Sequence, residues 1–136
     1  MQRILFTLII IALIFAQSCD VVDSITGSSK DNTVKLFPVK VEGRWGYIND
    51  GGRLQIEPSF QHASLFHEGV AVVRQSNRWK YIDKSGEVAI EGNFSNIRNF
   101  SQGKAAVRFD GRWGYINKAG AFVINPKYRD AHLFSN

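Results

Sequence analysis

His62, His67 and His132 are the side chains best suited to metal binding or proton transfer. Their spacing argues against both. His62 and His67 stand five residues apart, none has a cysteine partner, and no His-x-x-x-His pair occurs, whereas zinc sites draw three or four such ligands together. Serines are plentiful, but none lies in Gly-x-Ser-x-Gly, and no glycine-rich phosphate loop leads into a helix. These patterns yield no catalytic residue, no metal ligand and no cofactor. Hydrolysis would require His62 or His132 to find carboxylate or metal partners in space.

Arginines offer a different chemistry. Arg44, Arg78 and Arg112 each directly precede a tryptophan and recur every 34 residues, with Lys40, Arg74 and Arg108 as a second basic row four positions earlier. Guanidinium groups on equivalent corners could grip an anionic polymer or a partner protein. The structural alternative is that each arginine stacks on a neighbouring aromatic or pairs with Glu42 or Asp110. Trp45, Trp79 and Trp113 could in turn stack on sugar rings. Their strict recurrence with Tyr47, Tyr81 and Tyr115 is, however, what a repeated core layer needs.

The elements that must position these residues are equally repetitive. Laying 37–68 over 105–136 leaves 14 of 32 positions identical, and laying 71–102 over 105–136 leaves 12. Such self-similarity predicts small units that fold by stacking on one another. Each unit opens with alternation, over Leu36–Val41, Val70–Arg74 or Ala105–Phe109. A turn pair follows (Glu42-Gly43, Ser76-Asn77, Asp110-Gly111), and such residues favour tight hairpins. The Trp-x-Tyr-Ile strand then returns, with Trp45 and Tyr47 on one face and Gly46 and Ile48 on the other. A second turn begins at Asn49, Asp83 or Asn117 and closes at Gly52, Gly86 or Gly120, the pattern of a type I turn with a left-handed glycine.

The third strand is short: Leu54–Ile56, Val88–Ile90 or Phe122–Ile124. Pro58, Gly92 and Pro126 are expected to end it. Beyond them Phe60, Ala63 and Phe66 recur at i, i+3 and i+6, as do Phe94, Ile97 and Phe100, then Tyr128, Ala131 and Phe134. This spacing predicts one helical turn or a compact loop. A 34-residue period also suits paired helices, but two turn clusters per copy and period-2 strands exclude them. The reading is all-β: tandem three-stranded antiparallel β-meanders, about nine short strands, over units at about 36–69, 70–103 and 104–136. Nothing in the end copies looks specialised for closure, so an open array is expected.

These residues resemble the WG-repeat family of bacterial proteins, built on Trp-Gly-x-Ile-(Asn/Asp)-x-x-Gly followed by Ile-x-Pro-x-(Phe/Tyr)-x-x-Ala-x-x-Phe. The resemblance covers residues 36–136 in three copies in register. Lys80 replaces the family glycine and Gly92 the family proline, so the middle unit should lack close backbone approach at one point. The resemblance implies a binding or scaffolding module and carries no catalytic residue to transfer.

Upstream, Arg3 precedes a 13-residue apolar run, Ile4–Ala16, and then Gln17-Ser18-Cys19. A basic start, a short apolar run and small residues before a cut site describe an export signal; a spanning helix would need ~20 apolar residues. The sole cysteine at this junction resembles the lipobox of bacterial lipoproteins, which implies cleavage after residue 18 and acylation of Cys19. Anchoring by more than one acyl chain is stable. Asp20 resembles an inner-membrane retention signal of some bacteria, and the choice of membrane stays open.

Without residues 1–18 the chain keeps sixteen basic and twelve acidic side chains. Residues 19–35 form the lipidated cysteine and a polar tether. No disulfide is possible, so stability must come from packing between units. The expectation is a non-enzymatic module on the periplasmic face or cell surface, membrane-bound through its lipid and facing an envelope protein or anionic envelope polymer. An envelope hydrolase or accessory subunit, or an inhibitor or immunity-type partner of another exported protein, is the alternative. Export argues against nucleic acid.

Overall fold

Each tryptophan strand lies in the interior of an antiparallel sheet. The computed structural model describes residues 34–133, which fall within one compact unit; Cys19, the signal and nearly all of the tether lie outside the described residues. Strands β1 (Leu36–Val41), β2 (Arg44–Asn49) and β3 (Leu54–Phe60) form a three-stranded sheet in the order β1-β2-β3. The second sheet comprises β4 (His62–Ala63), β5 (Val70–Gln75), β6 (Arg78–Asp83) and β7 (Val88–Glu91) in chain order. The third runs β8 (Phe94–Ile97), β9 (Lys104–Phe109), β10 (Arg112–Asn117) and β11 (Phe122–Tyr128), again as sequential neighbours.

The turns behave as their residues dictate. Glu42 and Gly43 have φ of 48° and 82°, Ser76 and Asn77 48° and 66°, Asp110 and Gly111 48° and 73°. Two positive φ values in a two-residue loop are the type I′ geometry, whose twist matches that of the flanking strands. In the second turn Asn49 Oδ1 accepts from Arg53 N at 2.9 Å, and Asn117 Oδ1 from Ala119 N and Ala121 N at 3.0 Å. Gly52, Gly86 and Gly120 close these turns with φ near 80°.

The all-β reading holds, with eleven strands where about nine were expected. The two additional strands come from the segment expected to be a helical turn or loop. His62 pairs with Arg74 and Ala63 with Val73; Asn96 pairs with Arg108 and Ile97 with Val107. The tail of one copy therefore adds an edge strand to the sheet of the next. The i, i+3, i+6 spacing misled because the partner of the tail is distant in sequence. Each tail is pinned by the tyrosine of its own copy: Tyr47 Oη donates to Ser64 O and Tyr81 Oη to Arg98 O, both at 2.7 Å, and Tyr115 Oη to His132 O at 3.1 Å.

Pro58 and Pro126 do not end their strands; β3 and β11 run through them to Phe60 and Tyr128. They lie where the ladder is irregular, between the Trp45–Phe60 and Tyr47–Ile56 pairs and between Trp113–Tyr128 and Tyr115–Ile124. Proline is admitted to a sheet at such a bulge. The bulge swings backbone against the Trp-Gly strand. A Cβ on Gly46 would meet Ile56 O at 2.5 Å and Pro58 N at 2.8 Å, and one on Gly114 would meet Ile124 O at 2.6 Å and Pro126 N at 2.8 Å. The glycine is thus a consequence of the proline twelve residues on, in the neighbouring strand. In the middle copy both are gone. Lys80 pairs in register with Glu91, no shift occurs beside Trp79, and β7 stops before Gly92.

Two apolar layers hold the sheets together. Leu36, Tyr47, Ile56 and Phe60 of the first copy pack with Ala71, Val73 and Ile82 of the second. Val72, Tyr81, Ile90 and Phe100 of the second pack likewise with Ala105, Val107 and Ile116 of the third. Each sheet therefore has a forward face, carrying Trp and Tyr, and the rear faces of the second and third carry Ile with an alanine and a valine. A polar clasp adds to this. Glu68 accepts from Gly103 N at 3.0 and 3.2 Å, and Lys118 Nζ donates to Glu68 O while lying 4.6 Å from the centre of the Phe100 ring. Among the described residues β1 pairs with β2 alone, so the array is open as expected.

Candidate functional site

Arg44, Arg78 and Arg112 each open the central strand just after a type I′ turn, opposite Val41, Gln75 and Phe109. All three are exposed. Strand alternation places them on the rear face, with Gly46 and Ile48 or their counterparts. Among the described residues none of the three makes an ion pair or a ring contact, and neither Glu42 nor Asp110 holds one. The stacking that sequence suggested for them falls to other cations.

Lys40 Nζ lies 5.8 Å from the centre of Trp45, and the Arg74 guanidinium 5.5 Å from that of Trp79. Both are cross-strand pairs, so the hairpin register itself delivers the cation to the ring. On Trp113 the cation is Arg98, 5.1 Å away and supplied by the tail of the preceding copy, while Arg108 turns aside and donates from Nε to Gly111 O at 3.3 Å. Arg98 carried no local signal, because its ring is fifteen residues downstream. The three tryptophans occupy equivalent places; Trp113 is buried and the other two are partly so.

Residues that differ between copies, His62, Ser64, Asn96 and Arg98, meet Trp79 and Leu133 in a groove of about 280 Å³. His62 meets Trp79 edge to face, with centroids 5.3 Å apart. Arg74 Nε, nearby, is enclosed and has no hydrogen-bond partner among the described residues. A buried donor in that state favours an acceptor, whether solvent or ligand. His67 lies exposed at a one-residue bridge to Val70, and His132 is exposed with its carbonyl held by Tyr115. Among the described residues no group of three His, Cys, Asp or Glu stands close enough to hold a metal ion.

Ionisation follows burial. Desolvation raises the Tyr47 and Tyr81 hydroxyls far above the usual phenol range, so both remain proton donors at any working pH. Desolvation also lowers Lys118, against which the Glu68 carboxylate acts in the opposite sense. Among the described residues no helix is long and apolar enough to cross a membrane, and Cys19 lies outside them.

The sequence pattern of the family described as WG containing repeat matches residues 45–79, 81–113 and 113–136. No curated protein and no solved structure matches the chain.

Proposed function

The chain belongs to the WG containing repeat family, and from that premise we propose that it is a non-enzymatic binding or scaffolding module displayed at the bacterial cell envelope on a lipid attached to Cys19. The observation that supports a binding role is the triple recurrence of an exposed guanidinium, Arg44, Arg78 and Arg112, on equivalent hairpin corners. Equivalent corners on stacked sheets offer several weak contacts to one extended anionic partner, and linked weak contacts add to a useful affinity. The partner class is an anionic envelope polymer or an acidic protein surface. The lipobox-like junction supports the address.

Replacing all three arginines by Gln tests the site. Retention on immobilised polyphosphate should be lost while the far-UV spectrum is unchanged, and wild-type retention should fall as salt rises, since exposed charges are screened beyond ~8 Å at physiological ionic strength. A variant that folds and is retained as before would refute the arginine site. Cys19→Ala tests the address: labelled fatty acid should enter the wild type alone, and label in the variant would reject lipidation at this residue.

One observation favours a second reading of the surface. The groove beside Trp79 concentrates the non-repeating residues His62, Asn96 and Arg98. A site that needs one ligand once is expected among such positions. An extended segment of a partner protein suits its polar rim and aromatic wall.

A further inference from the structure

The two internal interfaces are copies of one design, and the molecule carries both halves of a third. At each interior boundary the rear face of one sheet, Ala71, Val73 and Ile82 or Ala105, Val107 and Ile116, is sealed against the forward face before it. The counterparts in the first copy are Phe37, Val39 and Ile48. Phe37 is 44% exposed where Ala71 is 0%. At the opposite end, the forward face of the third copy presents Tyr115, Ile124 and Tyr128. Tyr128 is 43% exposed where its counterpart Phe60 is 4%. With Ala131 and Leu133 these residues line an open socket of about 370 Å³.

The backbone repeats the pattern. Interior sheets gain an edge strand from the preceding tail, through Gln61 N to Arg74 O at 2.7 Å and Ser64 N to Val72 O at 2.9 Å, and through Arg98 N to Ala106 O at 2.9 Å. Among the described residues the outer edge of β1 has no such strand, and residues 129–133 have no strand to join. Tyr115 still holds the His132 carbonyl, so the tail is set in its interior pose.

We propose that a second copy of this chain docks head to tail, the tail of one molecule adding to the outer edge of β1 in the next and the socket receiving Phe37, Val39 and Ile48. The interior register carries over residue by residue. Ala131 would stand opposite Val39, and Asp130 opposite Lys40, a carboxylate facing an ammonium where the interior boundaries place His62 and Asn96 opposite arginines. Arg129 N would donate to Lys40 O and His132 N to Pro38 O. Pro38 removes an N–H from this edge, which guards it against indiscriminate pairing, yet leaves the two carbonyls that docking uses. The contact joins unlike surfaces, so repetition yields a filament or a ring and not a two-fold dimer.

Cysteine cross-linking in the full chain, with Cys19→Ser throughout, tests the register. Directly opposed residues on neighbouring antiparallel strands fall within disulfide range. Mixing Val39→Cys chains with Ala131→Cys chains under oxidation should give at least tenfold more disulfide dimer than either alone, and one chain carrying both should give a ladder. Ala63→Cys with Val73→Cys should form the equivalent bond inside one molecule and serves as the positive control. Phe37→Glu, which alters an exposed side chain, should reduce the light-scattering mass to that of the monomer with an unchanged far-UV spectrum. A Cys19→Ser chain that is otherwise unchanged and monomeric at 100 µM overturns the proposal. So does a mixture that fails to cross-link while the control does.

Discussion

Gly46→Ala isolates the coupling between the Trp-Gly strand and the proline bulge. A methyl group at Gly46 would lie 2.5 Å from Ile56 O, 2.8 Å from Pro58 N and 3.0 Å from Pro58 Cα. All three are backbone atoms, so no side chain can rotate away; β3 must retreat by about 0.5 Å or the bulge must flatten. Pro58 resists flattening because its ring fixes φ. Overpacking of this kind costs ~1–3 kcal/mol. Against it, alanine restricts the unfolded chain and returns ~0.4–1 kcal/mol. The net expectation is a loss of about 1–2 kcal/mol, and at ~4–8 °C per kcal/mol for a domain of this size the melting midpoint should fall by about 5–15 °C. Urea and thermal unfolding followed by tryptophan fluorescence would measure it. Gly114→Ala, with contacts of 2.6 and 2.8 Å, should behave alike, whereas Lys80→Ala, at a position that already carries a Cβ, should lose far less. Gly46→Ala and Gly114→Ala both as stable as wild type would refute the account of the glycine.

Position along the array should grade the cost of a shared residue. Ile82→Ala and Ile116→Ala, at sites 1% and 0% exposed, should each cost ~2–5 kcal/mol in denaturant titration, and Ile48→Ala, only partly buried, distinctly less. Tyr81→Phe should cost about 1 kcal/mol for the lost hydrogen bond to Arg98 O, and Tyr115→Phe less, since its bond to His132 O is longer and exposed. Asn77→Gly should stabilise by a few tenths of a kcal/mol, because φ of 66° is natural to glycine. Lys118 has its folded pKa below the unfolded value of 10.5. Between the two the unfolded chain binds more protons, so this group adds stability as pH rises toward 10.5; the wild-type urea midpoint should rise relative to Lys118→Met over that window.

The period, both turns and the Trp strand were legible because each is encoded locally. Glu42-Gly43 or Asp110-Gly111 specifies its own backbone, and the alternation from Leu36 specifies its own face. The fate of residues 60–66 was not legible. His62 and Ala63 are strand because Arg74 and Val73 lie beside them, and no local spacing reports a partner across a unit boundary. Pro58 misled for a related reason: a strand can pass through proline where the ladder is already bulged, and the bulge is a property of two strands. The substitution of Lys80 and Gly92 together was the clue, since each removes one side of the same collision. At the candidate site, the arginine corners followed from the hairpins, while the reach of Arg98 to Trp113 depended on stacking.

The tail strand that crosses each boundary means that the segment which is duplicated is not the segment which folds. Cutting the sequence every 34 residues, in whatever phase, divides either a sheet or a tail from the tyrosine that pins it. A tandem copying event inserted at any point would therefore restore every cross-boundary pair automatically, with one new sheet and one new layer. Loss of a copy would be healed in the same way. Array length can then drift in whole steps without a misfitted intermediate, and selection on reach or valency can act on length alone.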